Sequence, residues 1–112
     1  MKRGDIVFAD LSPTVGSEIN KRRPVVIISN DANNRAANTL TVLPITSNTS
    51  RVYPFEVFLT TADTGLPKDS KAQAQQIRTI SRQRVRSPVK GHIGGGIMEK
   101  LETAIRLHLG LD

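Results

Sequence analysis

Three side chains of this chain can act together on a phosphodiester if folding gathers them: the carboxylate of Glu18, the guanidinium of Arg23 and the hydroxyl of Thr46. A carboxylate can take the proton of a ribose 2′-hydroxyl as that hydroxyl attacks its own neighbouring phosphate. A guanidinium can stabilise the charged phosphorane, and a hydroxyl can donate a hydrogen bond to it. Such a cleavage needs no metal, and its dependence on the 2′-hydroxyl makes it blind to DNA. In the bland arrangement of the same residues, Glu18 pairs with Lys21 or Arg22, Thr46 caps a turn, and nothing reacts.

The elements around these residues decide between the two. Arg22-Arg23-Pro24 runs straight into Val25-Val26-Ile27-Ile28, and four consecutive β-branched residues bounded by polar loops read as a buried central strand over 24–29. Pro24 suits the first position of such a strand, where its missing N–H costs least. Leu40 to Ile45 gives another strand, with Pro44 suggesting an edge or a bulge. If the two strands pair antiparallel through the polar, Asn-rich segment 30–39, the start of one meets the end of the other. Arg23 and Thr46 then lie side by side at one end of the sheet, and Glu18, five residues earlier on the loop 12–22, folds back over them.

The remaining segments are short. Asp5 to Asp10 reads as the first strand, and residues 55–60 as a half-buried strand with Phe55, Val57 and Leu59 facing in. Thr61 to Asp69 reads as a turn. Lys71 to Ile80 has helical propensity but fits better as a strand, residues 81–87 as a short Arg-rich helical turn, and Val89 to Ile93 as a last strand. After Gly94-Gly95-Gly96, Ile97, Met98, Leu101, Ala104, Ile105 and Leu109 recur at helical spacing, an apolar stripe for packing on the core. Short strands with one terminal helix imply a mainly β fold with a C-terminal helix, a small and strongly bent antiparallel sheet or barrel.

The chain has 112 residues, enough for one domain spanning 1–112. It has no cysteine, which removes disulfides and thiolate metal sites and fits a reducing cytosol. No signal-peptide h-region and no apolar run of membrane-spanning length occurs, so the expectation is a soluble, cytoplasmic protein without a membrane partner. Sixteen basic residues, ten of them Arg, stand against ten acidic ones for a net charge of +6, which favours a polyanionic partner. With Phe8, Tyr53, Phe55 and Phe58 as the only aromatic residues, a broad base-stacking platform is poorly supported. His92 and His108 are far apart in sequence, no metal-ligand spacing occurs, and the glycines at 94–96 lack a dinucleotide-binding context. The run Arg78, Arg82, Arg84, Arg86 and Lys90 is either a nucleic-acid backbone track or a solvated face.

Six segments in order, GDIVFADLSP (4–13), GSE (16–18), RPVVIISND (23–31), LPITSN (43–48), YPFEV (53–57) and QIRTI (76–80), resemble the MazF/PemK toxins of bacterial type II toxin–antitoxin systems over about residues 4–109. The resemblance implies an SH3-like β-barrel with a terminal helix, a homodimer, and a sequence-specific, metal-independent endoribonuclease acting on single-stranded RNA with no cofactor. It places catalytic roles on Arg23, Thr46 and Glu18 and groove positions on Ser17, Asn30, Ser47, Gln75 and Gln76. It also implies a cognate antitoxin whose acidic, disordered segment wraps the dimer. One departure stands out: where family loops carry glycines between G-S-E-Q and R-P, Ile19, Asn20, Lys21 and Arg22 fill the space. Two other readings stay open, a CcdB-like gyrase poison on the same barrel and a non-catalytic nucleic-acid-binding barrel.

Overall fold

The computed structural model describes residues 1–12, 15–16 and 21–112. Asp5–Asp10 forms β1 and Arg22–Ile27 forms β2, two residues earlier than the sequence pattern placed it. A short helix, α1 (Asp31–Ala36), leads into β3 (Thr39–Thr46). β4 (Glu56–Leu59) and α2 (Thr61–Thr64) follow, the latter a single helical turn where only a turn was expected. The expected strand 71–80 is in fact two strands, β5 (Ser70–Gln73) and β6 (Arg78–Ser81), separated by a 3-10 turn at 74–76. A second 3-10 turn at 82–84 precedes β7, which covers only Gly91–His92, and α3 (Gly95–Leu109) ends the fold.

All described pairings are antiparallel, in the order β4-β5-β3-β2-β1-β7, with β6 also on β3. The sheet curls into a half-barrel. β3 is its most paired strand, so Pro44 does not mark an edge. β6 pairs with residues 39–42 of β3 and β5 with 45–46, and Pro44 falls in the gap between them. A missing N–H is cheapest where the ladder is already interrupted.

The unbroken apolar run of β2 has a simple cause: both of its faces are covered. Val25 and Ile27 join Val7, Ala9, Leu11, Leu40, Val42 and Ile80 on one side. Val26 joins Ile6, Leu43, Ile45 and the helix residues Met98, Leu101 and Ala104 on the other. The connection through α1 locks the β2–β3 register. Buried Asn34 accepts from the Ser29 hydroxyl and donates Nδ2 to the Ser29 carbonyl at 2.8 Å. Ser29 Oγ accepts the Thr41 N–H at 3.1 Å, and the Ile28 and Ser29 N–H groups both reach the Thr41 carbonyl.

The β4–β5 corner is organised on a buried charge. Glu56, expected on the outer face, is 6% exposed, and its carboxylate accepts from the Tyr53 N–H, Lys71 Nζ, Gln73 and Gln75. Burial alone would raise its pKa. The hydrogen bonds from Tyr53, Gln73, Gln75 and Lys71 outweigh that effect and hold it at about 2, against an ordinary 4.5.

Two stability measurements follow from this packing. A Cβ at Gly91 would lie 2.0 Å from the Thr64 carbonyl oxygen, which belongs to main chain. Gly91→Ala is expected to cost about 1–3 kcal/mol, read as a lower urea midpoint with unchanged slope. The lowered pKa of Glu56 gives stability that is complete above its unfolded value of 4.5 and is lost as pH falls toward 2. Of this, about 2 kcal/mol should vanish between pH 6 and pH 3. Glu56→Gln should therefore lose less stability than the parent over that interval; an equal loss would place the acid sensitivity elsewhere.

Candidate active site

β2 and β3 pair with Val25 opposite Pro44, Val26 opposite Leu43 and Ile27 opposite Val42. Continued by two residues, this register sets Arg23 opposite Thr46, and both are half-buried. On its other edge Arg23 faces Ala9 of β1, and Thr46 faces Lys71 of β5. The two residues thus share one rim of the curled sheet, as strand pairing alone required. Thr46 Oγ1 accepts the Asn48 N–H at 3.2 Å, which orients the hydroxyl and leaves its proton for another acceptor.

Arg23 and Ser47 line a small cavity of about 160 Å³ together with Phe8, Leu66, Pro67 and Lys68. A larger concavity of about 690 Å³ lies between β4 and α3, bounded by Phe58, Thr60, Asp63, Gly96, Lys100 and Thr103. It includes neither Arg23 nor Thr46 and has no part in the rim.

The other expected site residues divide. Ser47 follows Thr46 directly, and Gln75 and Gln76 sit in the 3-10 turn that interrupts the ladder along β3. Gln75 is half-buried and donates Nε2 to Glu56 at 2.6 Å. Asn30 lies past the opposite end of β2 from Arg23, where its side chain accepts the Asn33 N–H at 2.8 Å and caps α1. It is not brought to the rim. Ser17 and Glu18 lie outside the described residues.

Sequence reasoning gave no role to the residues that pin the loop carrying Glu18. Arg78 donates to the Leu11 carbonyl at 3.2 Å, and Arg84 donates to the carbonyls of Asp10 (3.0 Å) and Ser12. Arg82 holds the Ala37 carbonyl at 3.1 Å. Much of the basic run is therefore spent on main-chain carbonyls at the ends of loops. Leu11 N–H bonds the Lys21 carbonyl at 3.0 Å, and Lys21 N–H bonds Ser12 Oγ at 2.9 Å, closing the loop base. Lys21 adopts φ 68°, a left-handed conformation that favours glycine. It does so where family loops carry glycine, so the departure in sequence costs strain and leaves this loop end in place. A guanidinium and a hydroxyl at a basic rim suit charge stabilisation on a phosphate. Among the described residues no group of three or more His, Asp or Glu side chains gathers as a metal centre would need.

Residues 2–109 match the family model described as PemK-like, MazF-like toxin of type II toxin–antitoxin system. Endoribonuclease MazF9 of Mycobacterium tuberculosis is 46% identical over 116 residues, covering 99% of this chain and 98% of that protein. Endoribonuclease EndoA of Bacillus subtilis is 39% identical over 112 residues, covering 99% and 96%. In three dimensions the chain is similar to MazF from Deinococcus radiodurans, with a TM-score of 0.86 at 24% identity over 99% of this chain and 97% of that one. It is also similar to a mycobacterial endoribonuclease solved with its cognate antitoxin, with a TM-score of 0.76 at 24% identity over 100% and 95%. With the fold matched end to end and the sequence related over nearly its whole length, this chain belongs to the PemK-like, MazF-like toxin family of type II toxin–antitoxin systems.

Proposed function

We propose that this toxin, an endoribonuclease, breaks single-stranded RNA by in-line attack of a ribose 2′-hydroxyl on the adjacent phosphorus. The observation that carries the mechanism is the β2–β3 register, which makes Arg23 and Thr46 cross-strand neighbours. The O2′ proton passes to a base, for which Glu18 on the adjoining loop is the candidate. The O2′–P bond forms, the P–O5′ bond breaks, and O5′ leaves as a hydroxyl after taking a proton. The products are a 2′,3′-cyclic phosphate and a 5′-hydroxyl end, so no water is consumed. Arg23 stabilises the charge that builds on the phosphoryl oxygens, and Thr46 donates the hydroxyl proton that the Asn48 N–H leaves free. Ser47, Gln75 and Gln76 contact the RNA beside them.

The protein works in the cytoplasm as a homodimer, and an acidic, disordered segment of its antitoxin blocks the RNA groove. The net charge of +6 favours both RNA and such a segment. Among the described residues no helix is long and apolar enough to cross a membrane. A gyrase poison or a passive binding barrel has no need of a guanidinium and a hydroxyl paired at one rim, and neither reading is favoured.

Purified protein should cut single-stranded RNA with EDTA present. Arg23→Ala should lower the rate by roughly 10²–10³-fold while its unfolding midpoint stays near that of the parent. Replacing the 2′-hydroxyl at the cleaved nucleotide by hydrogen should abolish cutting. Continued cleavage of the deoxy-substituted strand would sink the cyclisation mechanism, and a fully active Arg23→Ala would sink the site.

A further inference from the structure

Thr46 is opposite Lys71 on β5, and β5 in turn pairs with β4, which begins at Glu56. All four acceptor positions of the Glu56 carboxylate are in use. Oε1 takes the Tyr53 N–H at 3.0 Å and Lys71 Nζ at 2.9 Å, and Oε2 takes Nε2 of Gln73 at 3.0 Å and Nε2 of Gln75 at 2.6 Å. An ionised carboxylate only accepts, so each glutamine must turn its NH2 group toward Glu56 and its carbonyl oxygen away. The orientation of these two amides is thereby dictated by charge. Both Oε1 atoms are shielded from solvent and have no hydrogen-bond partner among the described residues. A buried acceptor without a donor is destabilising and uncommon, and a ligand that brings an N–H to it gains by doing so.

We propose that Glu56 is a positioning residue that sets the base preference of this ribonuclease, by holding the Gln75 amide so that it offers an acceptor, and never a donor, to an unpaired base. The inference rests on the ribonuclease reading above. Its chemical content is a preference for a base with an exocyclic amino group, adenine or cytosine, over uracil, which has a carbonyl at the equivalent place. The carboxylate also fixes the segment after Ser47: Tyr53 donates to it directly, and Lys71 ties it to the Arg51 carbonyl at 2.6 Å. One buried charge thus positions both the 3-10 turn at 74–76 and the loop leaving Thr46.

The test maps 5′ ends produced from a random-sequence single-stranded RNA pool by the parent, Glu56→Gln, Gln75→Met and the double variant, each checked for folding by circular dichroism. The parent should prefer an amino-bearing base to uracil at one position by about tenfold, the worth of one well-placed hydrogen bond. In Glu56→Gln the new amide can donate to Gln75 Oε1, so the Gln75 amide can invert and the preference should collapse. Gln75→Met should lose the same preference, and the double variant should lose no more than Gln75→Met alone. A parent with no amino-base preference at any position, or a folded variant that keeps it, overturns the inference. If Glu56→Gln fails to fold, Gln75→Met, at a half-buried turn, decides alone. A parent that cuts no RNA at all refutes the ribonuclease reading instead, whereas a cutting parent, an inactive Arg23→Ala and unchanged preferences in the variants refute only this inference.

Discussion

The antiparallel register between β2 and β3 is the constraint on which the rest depends. It pairs Val25 with Pro44, and two residues further on the same register faces the guanidinium with the hydroxyl. A one-residue slip would turn every side chain of β2 to the opposite face. The apolar run itself gives little protection against that slip, because both faces are buried and Val25, Val26, Ile27 and Ile28 are chemically alike. Specificity comes from the other end of the strands. There Asn34, Ser29 and Thr41 form a buried polar network that is satisfied in only one register. A lock beyond one end of β2 therefore sets the geometry of the rim at the other.

Charge does two jobs in this molecule. At the loop bases Arg78, Arg82 and Arg84 donate to main-chain carbonyls, which carry no formal charge, so these guanidiniums stay cationic while they fix the loops. At the β4–β5 corner the opposite sign is buried. Glu56 and Lys71 are almost removed from water, and the carboxylate is repaid by four donors. The basic surface that suits an RNA partner is thus partly a by-product of how the loops are held. The residues that hold them are far away in sequence, between 45 and 74 positions.

Strain is placed beside the site and not within the sheet. Lys21 takes a left-handed backbone at the point where the loop rejoins β2, immediately before Arg22 and Arg23. The hydrogen bonds of Leu11 and Ser12 to Lys21 over-determine that conformation. A basic side chain is tolerated where glycine would be relaxed, which adds charge at the rim at the expense of some stability.

The sequence by itself determined the buried strand after Pro24, the strand 40–45, the terminal helix and, through the antiparallel pairing of the two strands, the meeting of Arg23 with Thr46. These follow from periodicity and chain connectivity, which are local properties. Only the tertiary structure decided that β3 is the central strand in spite of Pro44, that Lys71 to Ile80 breaks into two strands around a turn, and that Asn30 caps a helix away from the rim. It alone showed that Glu56, an ordinary outward position by alternation, is a buried acceptor for two glutamines. Each of these depends on which distant segment lies alongside. A donor 15 to 19 residues away leaves no mark on the pattern of the strand it satisfies.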